Sequence, residues 1–272
     1  MSAVTARSML FVPGARPDRF EKASASGADE IVLDLEDGVA AKDKETARQC
    51  VADWIASGGR GVVRINPPGT DAYADDIATF AQAIGVGIML PKATAQSTAA
   101  VARLLRPDNL LLPIIESAQG VFEAVDICST PGVKRVAFGN GDLAADVGLS
   151  HDNWPGLQWA RSTLVFASAA AGIAAPVDGV VTKIKDETLL AEECRSGRSL
   201  GFSGKLSIHP DQVAVINSHY SPNAAELEWA QRLLTQTANG GASSVDGEMV
   251  DDAILRRARH IATLHVSLEG SE

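Results

Sequence analysis

Leu111-Leu-Pro-Ile-Ile-Glu-Ser117 and Arg135-Val-Ala-Phe-Gly-Asn-Gly-Asp-Leu143 are two short apolar runs, each closed by a carboxylate, Glu116 and Asp142. Apolar runs of this length, bounded by Gly, Pro or Ser, read as strands buried on both faces of a parallel sheet. A carboxylate just past such a run stands at the strand's C-terminal end, where α/β folds gather their ligands. Two of them on successive strands make an oxygen site suited to Mg²⁺. That ion takes one or two protein carboxylates and fills its shell with water and substrate.

Outward from this pair the same alternation repeats. Strand-like runs cover Ser8–Gly14, Glu30–Gly38, Gly61–Pro67, Gly87–Ala93, Pro176–Val181 and Gly204–Pro210. Helical patterns cover Lys42–Ala56, Asp71–Ile84, Ala95–Leu105, Gln119–Cys128, Leu157–Ala171 and Asp186–Leu200, with a short helix starting near Arg16-Pro-Asp. Eight strand–helix alternations in about 215 residues predict a (β/α)₈ TIM barrel. A doubly wound sheet is the alternative, but no G-x-G-x-x-G follows the first strand, and Gly139-Asn-Gly141 is too short to count. Pro222–Ala238 reads as a helix, Asn239–Ser244 as a flexible linker, and Asp246–Asp252 as the opening of a last helix through Leu264. The organisation predicted is a barrel over residues 1–220 carrying the active site and a C-terminal helical extension over 221–272.

The chain has 272 residues, an apolar share of 46%, a charged share of 21% and a formal net charge of −10. These values fit a soluble globular protein and argue against a general nucleic-acid surface, which needs clustered Lys and Arg. No apolar run reaches the ~18 residues of a membrane span. Cys50, Cys128 and Cys194 are scattered at no zinc or disulfide spacing, so inert packing within helices is expected. The first residues lack the basic-then-apolar order of a signal peptide, which predicts a cytoplasmic protein.

Several further residues carry chemistry. Glu30-Ile-Val-Leu-Asp-Leu-Glu-Asp-Gly38 ends in Asp34, Glu36 and Asp37, a concentration of negative charge that calls for a cation or protons nearby. Arg64 sits inside an apolar run, and a buried arginine needs an anion. That anion is either structural, from Glu36 or Glu116, or a substrate carboxylate, which suits the planar fork better. Lys92 at a strand tip is weaker evidence. His209 before Pro210 reads as a hydrogen-bonded structural residue, and Asp251 and Asp252 read as helix caps.

Seven motifs then occur together and in order: Ser8-x-x-Phe-Val-Pro-Gly-x-Arg-Pro17, Leu33-Asp-Leu-Glu-Asp-Gly-Val39, Val63-Arg-Ile-Asn66, Met89-Leu-Pro-Lys92, Ile115-Glu-Ser117, Gly139-x-x-Asp-Leu143 and Ile208-His-Pro210. The sequence, from about residue 8 to about residue 260, resembles the citrate lyase β-subunit-like branch of the HpcH/HpaI aldolase family, which includes malyl-CoA and citramalyl-CoA lyases. The resemblance implies that Glu116 and Asp142 hold Mg²⁺ and that Arg64 binds the oxo-acid portion of the substrate. It implies that Glu36 and Asp37 fix metal-bound waters, and that Phe11, Arg16 and Lys22 contact coenzyme A. Gly139 and Asn140 belong to the same substrate-binding turn. Gly247-Glu-Met-Val-Asp251 matches a family pattern whose aspartate enters a neighbouring subunit's site, which makes Asp251 a candidate acid/base and implies a homo-oligomer, a trimer or a multiple of one. Asn140 stands where many relatives have an acid, and Ala253 where a proline often follows.

The activity implied is a Mg²⁺-dependent carbon–carbon lyase. It would cleave or form a 3-hydroxyacyl-CoA such as citramalyl-CoA or malyl-CoA, with acetyl-CoA and a 2-oxo acid as the other partners. Mg²⁺ would act as Lewis acid and template, Arg64 would steady the enolate oxygen, and Asp251 would move its proton. Three alternatives stay open: the β-subunit of a citrate lyase complex, a class II pyruvate aldolase, and a non-catalytic barrel that binds CoA or an oxo acid.

Overall fold

Eight parallel strands close into a barrel in chain order: β1 (Ser8–Pro13), β2 (Glu30–Asp34), β3 (Val62–Arg64), β4 (Gly87–Leu90), β5 (Leu111–Ile115), β6 (Ala137–Phe138), β7 (Val177–Asp178) and β8 (Gly204–Ser207). The computed structural model describes residues 3–236, 243–245 and 248–269. The predicted (β/α)₈ TIM barrel is the fold observed. Alternate residues point inward, and Met9, Val32, Val62, Met89, Leu112 and Val177 fill the lumen. The interior is therefore a packed core, which leaves the strand ends to carry chemistry.

The described residues of Ser2–Ser218 form one compact unit, the barrel, and those of His219–Glu272 form a second. In the second unit, helices Ala224–Gln236 and Asp252–Glu269 share a small core of Ala230, Leu233, Val250, Ala258 and Ile261. Ser243–Val245 pairs antiparallel with Glu248–Val250. This corrects the expected linker at Ser243 and Ser244, and it starts the last helix at Asp252 and carries it past Leu264 to Glu269. The rest of that linker, 239–242, and Asp246 and Gly247 lie outside the described residues.

Three more differences have local causes. The run Arg135–Leu143 is strand only at Ala137–Phe138, because Gly139 leads directly into a helix over Asn140–Asp146. The helix expected over Gln119–Cys128 is two pieces, Ala118–Phe122 and Ala124–Cys128, that meet at Glu123, whose Oε2 accepts from the Ala95 N–H at 2.7 Å. Val213–Tyr220 is a helix that its β-branched content disguised, although Val213, Ile216 and Tyr220 lie buried at helical spacing. The three cysteines are free, and burial pushes Cys128 up to about 11 and Cys194 up to about 12, so both are inert thiols. No helix among the described residues is long and apolar enough to cross a membrane.

Two buried ionic groups tie the wall of the barrel to its surroundings. Arg135 at the base donates to the carbonyls of Ala3, Ala6 and Ala175 and to Ser203 Oγ. On β7, Asp178 accepts from Arg161 Nε at 2.9 Å and from Lys205 Nζ at 3.0 Å, and Lys205 also meets Glu193 at 3.0 Å. Arg161 is sandwiched between the rings of Trp154 and Phe138, 4.1 and 4.8 Å from their centroids. Breaking one member of such a group strands a charge in the interior. Asp178→Asn should therefore destabilise the protein by about 3–5 kcal/mol, read as a lowered urea midpoint.

Candidate active site

The acidic tip of β2 is organised by an arginine on the next strand. Asp34 and Arg64 are register partners across the β2–β3 pair, and the guanidinium grips the carboxylate through Nε and Nη2, both at 2.7 Å. Asp34 also accepts the backbone N–H groups of Glu36 and Gly38, at 2.9 and 2.8 Å. Burial alone would lower the Arg64 pKa, but its bonds to Asp34 raise it on balance, so it is charged at any working pH. Its third nitrogen, Nη1, lies 2.9 Å from Glu36 Oε2 and 3.9 Å from Asp37 Oδ2. The plane of the guanidinium stacks on Phe11, 4.6 Å from the ring centroid. The structural partner of Arg64 is thus chiefly Asp34, with Glu36 beside it, and the fork expected for a substrate is already occupied. Lys44 secures the loop from the helix behind it, its Nζ donating to the carbonyls of Leu35 and Glu36, both at 2.6 Å.

Glu116 follows β5 directly. Ser117 caps the next helix by accepting from the Gly120 N–H at 3.1 Å, so the chain turns as soon as Glu116 has been presented. Glu116 Oε1 accepts from the backbone N–H of Lys92, beyond β4, at 2.7 Å. Its other oxygen rests against Gly139, where any Cβ would collide with Glu116 Cβ and Oε2. Asp142 stands in the first turn of the Asn140–Asp146 helix, with its side chain 43% exposed. Phe11, Arg64, Glu116, Gly139, Asn140 and Asp142 line one cavity of about 140 Å³, and Asp37 reaches its edge. A larger depression, about 450 Å³, lies before β6 and β7 at the opposite end, and its only charged side chain is Lys134. Its size does not make it the better candidate, because it lacks the groups for chemistry.

The electrostatics favour a cation. Burial, reinforced by the neighbouring Glu36, pushes Glu116 up to about 8. Burial pushes Glu36 up to about 7 despite Arg64, and neither Glu36 oxygen meets a donor at hydrogen-bond geometry. Buried carboxylates that hold protons to neutral pH are short of positive charge. Among the described residues no three His, Cys, Asp or Glu side chains converge as a closed cage. An open site with two carboxylates is nonetheless what Mg²⁺ requires, since it keeps several water or substrate ligands. The Glu36 oxygens, which have charge contacts but no hydrogen-bond donor among the described residues, and the side-chain-free cradle at Gly139 fit such an ion and its ligands.

Other predicted residues fall elsewhere. The Asn140 side chain is committed to the turn after β7: its Oδ1 accepts from the Val180 N–H at 2.9 Å and its Nδ2 donates to the Val180 carbonyl at 3.0 Å. An amide can do both, and an ionised acid could not, which explains an Asn here. Arg16 is exposed and paired with Asp18 at 2.7 Å, and Lys22 is exposed on the short helix after β1; neither lines the cavity. Asp251 belongs to the second unit, where its Oδ1 caps the last helix by accepting from the Ile254 N–H at 2.9 Å. His209 caps its own turn through Asp211 N, as expected of a structural residue. Sequence reasoning missed Asp34 as the partner of Arg64 and the support from Lys44, and it gave Lys92 only as weaker evidence. The in-register spacing of Asp34 and Arg64 was the one available signal.

A closed eight-stranded barrel with two carboxylates and an arginine at its C-terminal mouth defines a class, and the comparisons place the chain within it. Residues 7–210 match the HpcH/HpaI aldolase/citrate lyase family, and residues 162–263 match the C–C bond lyases of the TIM-barrel fold. The chain belongs to the HpcH/HpaI aldolase/citrate lyase family. It is 33% identical to a (3S)-malyl-CoA thioesterase of Cereibacter sphaeroides, over 98% of this chain and 94% of the relative. It is 30% identical to the mitochondrial citramalyl-CoA lyase of Rattus norvegicus, over 98% and 88% of the two chains. It superposes on the Mycobacterium tuberculosis protein CitE, solved with magnesium, acetoacetate and coenzyme A, with a TM-score of 0.82 and 33% identity over 96% and 98% of the chains.

The raised carboxyls set a pH dependence for the metal-free protein. Glu116 and Glu36 release their protons near 4.5 when unfolded and near 8 and 7 when folded. The folded chain therefore holds more protons across that window, and stability falls as pH rises from about 4.5 to about 8. Melting temperatures taken in EDTA should decline across this range, and Glu116→Gln, neutral throughout, should flatten the decline.

Proposed function

We propose that this chain is a Mg²⁺-dependent carbon–carbon lyase that cleaves or forms a 3-hydroxyacyl-CoA of the malyl-CoA or citramalyl-CoA type, with acetyl-CoA and a 2-oxo acid on the other side. The observation that carries this reading is the convergence of Glu116, Asp142 and Arg64 on one cavity at the C-terminal mouth of the barrel. Glu116 and Asp142 would hold the ion, which supplies Lewis-acid polarisation of the substrate's hydroxyl and carboxylate oxygens.

The chain's own residues account for the rest. In the cleavage direction the hydroxyl proton would pass to water, the C–O⁻ pair would form the carbonyl of the 2-oxo acid, and the pair of the broken carbon–carbon bond would move onto the thioester as an enolate. Arg64 Nη1, held in place by the Asp34 grip on the other two nitrogens, is the preorganised positive charge for that developing oxygen. Glu36 and Asp37 border the same nitrogen and would orient water. Asp251, in its Gly-x-Met-x-Asp pattern, would return the proton to the enolate carbon from a neighbouring subunit, which makes the working form a homo-oligomer, with a trimer as the reading. Phe11, Arg16 and Lys22 would contact coenzyme A, the basic pair near its phosphates.

A second reading is hydrolysis of the same thioester, favoured by the thioesterase among the relatives. It uses the same binding groups but directs water at the thioester carbon. Incubation with malyl-CoA, citramalyl-CoA and citryl-CoA in Mg²⁺ separates the two. A lyase releases acetyl-CoA and an oxo acid, whereas a thioesterase releases free CoA thiol and the intact hydroxy acid. Asp142→Ala and EDTA should each lower lyase turnover by at least ~10²-fold. Undiminished activity in either case would refute the metal assignment.

A further inference from the structure

Lys92 departs from ordinary geometry in two ways. Among the described residues it is the one non-glycine with positive φ, at 49°, a conformation that strains an L side chain and persists where the surroundings enforce it. The enforcement is visible. Met89 and Leu90 are fixed in β4, Thr94 opens the next helix with a reciprocal capping box to Ser97, and the left-handed turn between them aims the Lys92 N–H at Glu116 Oε1. The same turn sends the side chain toward the acids. Its Nζ lies 3.7 Å from Glu36 Oε1 and 3.9 Å from Asp142 Oδ2, with the side chain half exposed.

Building on the cation reading above, we propose that Lys92 is the built-in counter-ion of the metal-free site, a positioning residue whose ammonium stands between Glu36 and Asp142 and competes with the divalent ion for them. The geometry carries this. Arg64 holds Asp34 with two nitrogens and meets the near oxygen of Glu36 with the third, so the charge facing Asp142 and the far oxygen of Glu36 is that of Lys92. The contacts of 3.7–3.9 Å are charge contacts without tight hydrogen bonds. An ammonium on a flexible stem can therefore withdraw when the ion arrives. The backbone N–H stays in place through the exchange and continues to orient Glu116. A second consequence concerns the substrate: once displaced, the ammonium becomes available at the mouth of a site that receives an anionic thioester.

The test is Mn²⁺ titration by calorimetry and by electron spin resonance on the full-length protein, in wild type, Lys92→Met, Lys92→Gly and Lys92→Arg. Removal of a half-exposed competing charge should tighten Mn²⁺ binding by ~3-fold or more in Lys92→Met. Lys92→Gly, which also relieves the positive φ, should tighten it similarly and guards against a folding failure of the methionine variant. Lys92→Arg, which restores a cation, should return the affinity toward that of wild type. Unchanged or weaker Mn²⁺ binding in both neutral variants, in proteins with native melting transitions, would overturn the proposal. Absence of Mn²⁺ binding in wild type would instead refute the metal reading on which it rests.

Discussion

Five carboxylates gather at the mouth of this barrel around one guanidinium, which meets three of them, and one half-exposed ammonium, and that imbalance governs the site. Arg64 neutralises Asp34 through two bonds at 2.7 Å and touches Glu36 and Asp37 with what remains. Glu116 is buried and accepts the Lys92 backbone N–H, and Asp142 faces a lysine at 3.9 Å. Glu36 and Glu116 are buried where water screens poorly, so these two carboxyls either keep protons or acquire a cation. The first outcome describes the metal-free protein. The second describes a lyase ready for substrate.

The barrel makes this concentration of charge tolerable. β5 ends at Ile115 and a capped helix begins at Ala118, so Glu116 is presented by backbone that is fixed on both sides. Ser117 and Thr94 supply the caps after β5 and β4. Gly139 removes the side chain that would have kept Glu116 from the turn after β6. Lys44 fastens the Glu36 loop from behind. The packed lumen beneath and the buried Arg161–Asp178–Lys205–Glu193 group beside it supply the stability that lets strain persist at the mouth.

Much of this was legible in the chain itself. Buried parallel strands announce themselves as apolar runs, so all eight appeared at their places, and the acids at their ends marked the catalytic face. Glu116 and Asp142 were legible for that reason, Arg64 as a charge inside an apolar run, and Phe11 and Gly139 through the family resemblance; all five share one cavity. What stayed hidden depends on directions that only closure of the barrel fixes. The partnership of Arg64 with Asp34 needs strand register. The amide clamp of Asn140 on Val180 needs two loops forty residues apart to meet. The role of Lys92 needs a backbone angle that no residue type advertises, since a lysine at positive φ looks like any strand-end lysine. The hairpin Ser243–Val245 with Glu248–Val250 was obscured by Gly, Ser and Asp, which read as linker.

The central claim is that Glu116 and Asp142 together hold a divalent ion beside Arg64. The most direct measurement is an anomalous-scattering map from crystals of the full-length protein grown with Mn²⁺. The account predicts a single strong peak within bonding distance of one oxygen from each carboxylate, about 2.0–2.2 Å, lost in Glu116→Gln. A peak placed elsewhere, or no peak at saturating Mn²⁺ with both carboxylates ordered, would contradict it.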